Sequence, residues 1–168
     1  KETVGDIDIL ATASRPEEIV AAFVRMPLVE EVLARGPTKA SVVVRDTIQV
    51  DLRIVEHRSF GTVLQYFTGS KEHNVRLRQI ALDRGYSLSE YSLTRLSDGR
   101  VLFFDREEDV YSALGLAYIP PEMREDRGEI EAAMHGRLPE LVAVGDIRGD
   151  LHVHSNWSDG MASLLDLA

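Results

Sequence analysis

Gly5-Asp6-Ile7-Asp8-Ile9-Leu10, read together with Gln49-Val50-Asp51-Leu52-Arg53-Ile54, decides the fold of this chain. Both runs alternate apolar and polar residues with a period of two, the pattern of strands with one covered face. Residues i and i+2 of a strand share a face, so Asp6 and Asp8 point one way while Ile7, Ile9 and Leu10 can supply packing. Asp51 stands in the same phase relative to Val50 and Leu52. Three carboxylates on neighbouring strands can hold two Mg²⁺, a hard ion that takes oxygen ligands and keeps positions open for water or substrate phosphates. Such an open site suits phosphoryl or nucleotidyl transfer. A pair of acids two residues apart also occurs where one caps a turn and the other is merely solvated, so the surrounding motifs must choose.

The 168 residues suffice for one ordinary domain or two small ones. A hydrophobic content of 44% and a mean hydropathy of −0.12 fit a soluble packed core. No apolar run approaches membrane-spanning length, and no signal peptide is visible. Zero cysteines exclude disulfides and thiolate metal sites and are compatible with a reducing interior. The chain opens at Lys1 and enters a strand at once, which points to an excised piece of a longer protein. Its net charge of −9 is unevenly spread: residues 1–104 hold 14 basic and 14 acidic side chains, residues 105–168 only 5 basic against 14 acidic. The second part therefore carries the entire −9 and the first is neutral, so the two are different surfaces.

An α/β (α+β) fold is expected. Glu2–Ala11 reads as a strand, and Pro16–Arg25 as a helix with Ser14 as N-cap and Pro16 in its first turn. Val29–Ala34 reads as a short helix ending at Gly36-Pro37. Ala40–Arg45 and Ile48–Glu56 read as a hairpin around Asp46-Thr47. Phe60–Thr68 suits a helix stopped by Gly69. Ser70 caps a longer one, Lys71–Arg84, whose Val75, Leu77, Ile80 and Ala81 form an apolar side before Gly85. Strands Tyr91–Leu96 and Arg100–Phe104 flank the hairpin signal Ser97-Asp98-Gly99. Asp105 and Glu108 form a capping box for helix Arg106–Leu114, closed by Gly115. Ile119-Pro120-Pro121 and Glu122–Arg127 read as a connector, with one short helix at Glu129–Met134.

Val4-Gly5-Asp6-Ile7-Asp8-Ile9-Leu10, Gln49-Val50-Asp51-Leu52-Arg53 and Gln65-Tyr66-Phe67-Thr68-Gly69-Ser70-Lys71-Glu72-His73-Asn74, in that order, resemble the palm and thumb of family X DNA polymerases. Asp150-Leu151-His152-Val153-His154-Ser155-Asn156-Trp157-Ser158-Asp159-Gly160 resembles the opening of the PHP phosphoesterase domain that follows the polymerase in bacterial and archaeal members. The resemblance covers essentially the whole chain, most specifically residues 4–10, 49–53, 65–78 and 150–160. It implies a nucleotidyltransferase palm-sheet fragment over residues 1–58, an α/β thumb over 59–119, a linker over 120–149 and the first strand of a PHP barrel over 150–168.

The resemblance further implies that Asp6, Asp8 and Asp51 are the catalytic, metal-binding triad. Asp6 and Asp8 would bridge two Mg²⁺ or Mn²⁺ ions, and Asp51 would hold the ion that activates the primer 3′-hydroxyl and accept its proton. Tyr66, Phe67 and Gly69 match the segment beside the sugar of the incoming nucleotide, where a close backbone disfavours a ribose 2′-hydroxyl. A glycine suits both a close approach and a helix stop. Asn74 and Arg78 match thumb residues facing the minor-groove side of the nascent pair, Asn74 toward the nucleotide and Arg78 toward DNA. Their i, i+4 spacing sets them on one helix face, away from Val75 and Leu77. Minor-groove acceptors are shared by correct pairs, so donors there sense pair geometry. Some animal members carry arginine where Gln49 stands, so any charge coupling through it is absent. The family's Gly-Ser phosphate-binding motif and its lyase-like and fingers segments belong upstream of Lys1, and this chain by itself is expected to be inactive as a polymerase.

His152 and His154 alternate with Leu151 and Val153, so on a strand both imidazoles face one side. With Asp159 they match the first ligands of a PHP centre, which would take Mn²⁺ or Zn²⁺ only in the full-length protein. His57, His73 and His135 show no ligand spacing. The function expected of that protein is templated gap filling in DNA repair, with a 3′-to-5′ exonuclease or related phosphoesterase attached. Expected partners are gapped or primed DNA and dNTP, with no membrane, in a monomer of the cytoplasm at the nucleoid. Two other classes compete: a DNA-binding or gap-sensing module with an incomplete catalytic site, and a non-templated nucleotidyltransferase sharing the palm carboxylates. The segment Tyr66–Asn74 and the PHP-like start argue against the latter.

Overall fold

The computed structural model describes residues 5–45, 48–149 and 152–167, and the chain divides into two compact units, Lys1–Leu138 and Pro139–Ala168. In the first unit, strand β1 (Asp6–Thr12) leads into helix α1 (Pro16–Phe23), then β2 (Val29–Arg35), β3 (Lys39–Val44) and β4 (Ile48–Val55). These strands form one sheet in the order β1-β4-β3-β2, with β1 and β4 parallel and the other pairs antiparallel. The start of the expected first strand and the turn Asp46-Thr47 lie outside the described residues.

Along β4, Val50, Leu52 and Ile54 are buried while Gln49, Asp51 and Arg53 stay half-buried, as the period-two pattern requires. Helix α1 packs on the buried side, where Val20 meets Ala40, Leu52 and Ile54. Its N-cap position is held by Arg15 without a side-chain cap, so Ser14 does not fill the expected role. Pro16 and the acidic pair Glu17 and Glu18 favour the helix start instead, the acids by complementing the helix dipole.

The largest departure from expectation is β2, a strand where a short helix was expected over Val29–Ala34. The stretch is rich in good helix formers, but pairing with β3 overrides that preference. The return is a tight turn through Pro37, closed by the Gly36 N–H donating to the Lys39 carbonyl at 2.8 Å. Two register shifts let the imperfect alternation of β2 fit the ladder.

Two helices follow, α2 (Phe60–Thr68) and α3 (Lys71–Asp83), then a second antiparallel sheet of β5 (Tyr86–Leu88), β6 (Leu93–Arg95) and β7 (Val101–Leu102), and helices α4 (Glu107–Ala113) and α5 (Glu129–Met134). Gly69, at φ +69°, ends α2, and Ser70 Oγ accepts from the His73 N–H at 3.3 Å to cap α3. The Asp98-Gly99 turn forms as expected between shorter strands, whereas β5 had no sequence signal strong enough to be read. Helix α4 begins without the expected Asp105/Glu108 capping box.

The core of this half joins Leu77, Ile80 and Ala81 of α3 to Leu88, Leu93, Val110, Tyr111, Leu114, Ile119, Ile130 and Ala133. Residues 119–127 are therefore no free connector, since Ile119 and Arg124 are fully buried. Val75, expected on the apolar side of α3, is 60% exposed.

In the second unit, residues 152–155 are irregular where a strand was expected, and the chain ends in a short helix, α6 (Leu164–Leu167). Among the described residues no helix is long and apolar enough to cross a membrane.

Candidate active site

The parallel register of β1 and β4 sets Asp8 opposite Asp51, Asp6 opposite Gln49 and Leu10 opposite Arg53. Partners across a ladder share a face, and adjacent strands lie about 5 Å apart. Asp6, Asp8 and Asp51 thus stand together on the sheet face that α1 leaves open. The carboxyl of Asp8 is held above the usual carboxylate range. Burial contributes most, although the residue keeps an accessible side, followed by repulsion from Asp6 and Asp51; Arg53 acts in the opposite direction. This is the electrostatic mark of acids crowded without enough positive charge among them.

Gln49, missed as a functional residue, donates from Nε2 to both oxygens of Asp51 at 3.1 and 3.0 Å. It fixes that carboxylate without adding charge, and its i−2 spacing on the same strand face was a readable signal. Among the described residues no group of three or more carboxylates and imidazoles closes into a ready-made cage for an ion. The donor set still fits a divalent cation. Its atoms are hard oxygens on one open face, and the raised Asp8 carboxyl shows negative charge that such a cation would compensate.

Tyr66, Phe67, Gly69, Asn74 and Arg78 all line one concavity of about 420 Å³, together with Ser70 and Lys71. Phe67 also lines a smaller cavity of about 210 Å³ with Asp8 and Arg53, so the aromatic turn adjoins the acidic face. Arg53 and Arg78 sit over the rings of Phe67 and Tyr66 at 4.8 and 5.1 Å. The Asn74 amide is already engaged, accepting from Gln65 Nε2 at 2.8 Å and donating to the Tyr66 carbonyl at 2.7 Å. Those bonds tie the first turn of α3 to the last turn of α2 and leave the second amide hydrogen of Asn74 to serve a ligand. Val75 lines the same concavity, contrary to its expected separation from Asn74 and Arg78.

Beneath this concavity lies a buried polar cluster that no sequence spacing announced. His73 is fully buried, with Nδ1 at 2.7 Å from Glu129 Oε1 and Nε2 at 2.9 Å from the Tyr111 hydroxyl. Burial pulls the imidazole below its ordinary value against the opposing pull of Glu129. Burial alone would raise the Glu129 carboxyl, yet it stays below the usual range because of bonds from His73 and from the Arg127 and Asp126 amides. An acceptor-only carboxylate therefore faces Nδ1–H, and Nε2 accepts from Tyr111. Beside it Arg124 donates to Glu107 Oε1 at 2.6 Å and to the Ile119 carbonyl at 2.9 Å, while its own carbonyl accepts from the Ser70 N–H at 2.9 Å. The side-chain pairs Arg124–Glu107, His73–Tyr111 and His73–Glu129 join residues 17 to 56 apart, beyond any local pattern.

In the second unit the rings of His152 and His154 lie 4.9 Å apart, and His154 Nδ1 is 2.5 Å from Asp159 Oδ1. That bond holds the exposed Asp159 carboxyl below its usual range. The three residues are thus neighbours even without the expected strand. Gly160 closes the turn so tightly that a Cβ would lie 2.2 Å from the His154 carbonyl oxygen.

A family model described as the DNA polymerase beta thumb matches residues 63–125. The DNA polymerase/3′-5′ exonuclease PolX of Bacillus subtilis is 40% identical over 170 residues, covering 100% of this chain and 30% of its own length. The DNA polymerase lambda of Rattus norvegicus is 34% identical over 87 residues, 46% of this chain and 15% of the relative. Among solved structures, the polymerase beta of Leishmania infantum in a ternary P/T complex superposes with a TM-score of 0.59 at 28% identity, covering 73% of this chain and 62% of that one. This chain spans less than a third of the length of either relative. With 40% identity over the whole chain to that polymerase/exonuclease and the polymerase beta thumb model over residues 63–125, the chain belongs to the family X DNA polymerases.

Proposed function

We propose that this chain carries the catalytic carboxylates and the thumb of a template-directed, gap-filling DNA polymerase that works in DNA repair, close to the nucleoid and as a monomer. The observation that supports this best is the single open face shared by Asp6, Asp8 and Asp51, adjoining a concavity lined by Tyr66, Phe67, Gly69, Asn74 and Arg78. Residues 1–58 act as the end of the palm and 59–119 as the thumb, with the segment to Leu138 packed on it. Residues from 139 lead to the start of a PHP domain at 150–168.

Asp6, Asp8 and Asp51 would together hold divalent ions, Mg²⁺ or Mn²⁺, through the hard carboxylate oxygens of this face. When bound, such ions lower the pKa of the 3′-hydroxyl and neutralise charge on the α-phosphate as pyrophosphate departs. Asp51, kept in one orientation by Gln49, accepts the hydroxyl proton. Gly69 brings backbone close to the sugar, where a ribose 2′-hydroxyl would collide. Asn74 and Arg78 turn donors toward the minor-groove edge of the new pair. His152, His154 and Asp159 would contribute the first ligands of a Mn²⁺ or Zn²⁺ phosphoesterase centre in the full-length protein.

The test offers a one-nucleotide gapped duplex and each dNTP in turn to the full-length protein. Insertion of only the complementary nucleotide supports the proposal. Addition of any nucleotide regardless of template indicates a non-templated transferase, and binding without insertion indicates a gap-sensing module; either outcome rejects it.

A further inference from the structure

We infer that His73 is a positioning residue for nucleotide binding, clamped between Glu129 and Tyr111 so that the turn Gly69–Asn74 holds Gly69 and Asn74 toward a bound nucleoside triphosphate. The inference rests on the nucleotide pocket proposed above. His73 precedes Asn74 directly, and its own N–H completes the Ser70 cap. Both its ring nitrogens are engaged, one by a carboxylate and one by a phenol. Glu129 is anchored in turn by the Asp126 and Arg127 amides, so the clamp is fixed to the loop that opens α5 rather than to α3 alone.

The same loop holds the pocket wall a second time, through the Arg124 carbonyl on the Ser70 N–H, and Arg76 pairs with Glu131 of α5 at 2.8 Å. Three links from residues 124–131 therefore converge on residues 70–76, the stretch that carries Ser70, Lys71 and Asn74 of the concavity. An apolar side chain would fill this buried position without desolvating three polar groups. What the polar clamp adds is direction, since a satisfied buried network admits one arrangement where apolar packing admits several. Asn74 transmits that arrangement to α2 through Gln65 and the Tyr66 carbonyl.

The experiment measures single-nucleotide gap filling by the full-length protein and three variants, His73→Phe, His73→Gln and Glu129→Gln, each checked by its melting curve at the assay temperature. His73→Phe keeps a flat ring and removes both bonds. His73→Gln keeps an N–H for Glu129. A shift in the pocket of a fraction of an ångström should raise KM for dNTP about tenfold to a hundredfold in His73→Phe, with a smaller fall in kcat and unchanged affinity for gapped DNA. Discrimination against ribonucleotides should fall in parallel, and His73→Gln should lie closer to wild type. If His73→Phe does not fold, Glu129→Gln decides by the same readouts.

A KM for dNTP and a ribonucleotide discrimination both unchanged in a folded variant overturn the inference and leave the polymerase proposal standing, as does a loss of melting temperature alone. A wild-type protein that inserts no nucleotide overturns the proposed function and this inference with it.

Discussion

Arg124 lies in the stretch that the sequence presents as a connector, and replacing it with methionine tests whether that stretch is part of the core. The side chain is fully buried against a nearly buried Glu107, with donor–acceptor distances of 2.6 Å to Glu107 and 2.9 Å to the Ile119 carbonyl. Its guanidinium also lies 5.3 and 5.5 Å from the rings of Tyr111 and Tyr118. In Arg124→Met the methylene volume remains, but Glu107 keeps only the Tyr118 hydroxyl at 3.3 Å. Removing one partner of a buried ion pair costs about 3–5 kcal/mol, most of it the uncompensated charge left behind. For a unit of this size about 1 kcal/mol moves the melting temperature by about 3–5 °C, so a fall of about 10–20 °C is expected.

The double variant Arg124→Met with Glu107→Leu removes that orphaned charge and should recover more than half of the loss, because an apolar pair of similar volume is often tolerated. Thermal unfolding of the four proteins at neutral pH, followed by far-ultraviolet circular dichroism, gives the coupling between the two positions. Losses that simply add, or a single-variant shift below about 3 °C, would refute the reasoning, since about 1 kcal/mol is the scale of a surface pair.

Gly61 sits where a Cβ would lie 2.2–2.4 Å from the Arg106 backbone, so Gly61→Ala must part α2 from α4 and should cost about 1–3 kcal/mol in denaturant unfolding. Asp8 gives a prediction of opposite sign. A carboxyl raised in the folded state contributes stability below its unfolded value near 3.8, and that contribution is lost as pH rises through the folded value. Asp8→Asn should therefore melt higher than wild type at pH 7 in the absence of divalent ions, and the gain should vanish as the pH falls below about 4. Arg78→Ala, which removes a guanidinium from the pocket wall, should lower gap-filling efficiency about tenfold, the effect of one lost hydrogen bond from a charged group.

The catalytic face was legible because strand alternation is a local rule: Asp6, Asp8 and Asp51 share a phase that any sheet containing both strands must respect. Helices α2, α3 and α5 were legible from Gly69, Ser70 and their apolar spacing. The Val29–Arg35 stretch was misread because its composition favours a helix, and only the partner strand beyond Gly36-Pro37 decides otherwise. The caps expected from Ser14 and Asp105 failed because each helix starts one residue later than a capping role would require. The buried cluster of His73, Tyr111 and Glu129 was invisible because its members are distant in sequence and each alone looks like a surface polar residue. Once Ile119, Ile130 and Ala133 seal that side of the core, polar groups trapped among them must find one another.

The central claim is that the three aligned carboxylates carry out nucleotidyl transfer. It is tested most directly by single-turnover gap filling with the full-length protein and its Asp51→Asn variant, a change that preserves shape and removes the charge and the proton acceptor. The account predicts unchanged affinity for gapped DNA and a rate lower by about a thousandfold or more, the scale of losing a general base together with a metal ligand. An Asp51→Asn variant that inserts the complementary nucleotide within about tenfold of the wild-type rate would contradict it, because general-base catalysis alone is worth about a hundredfold or more.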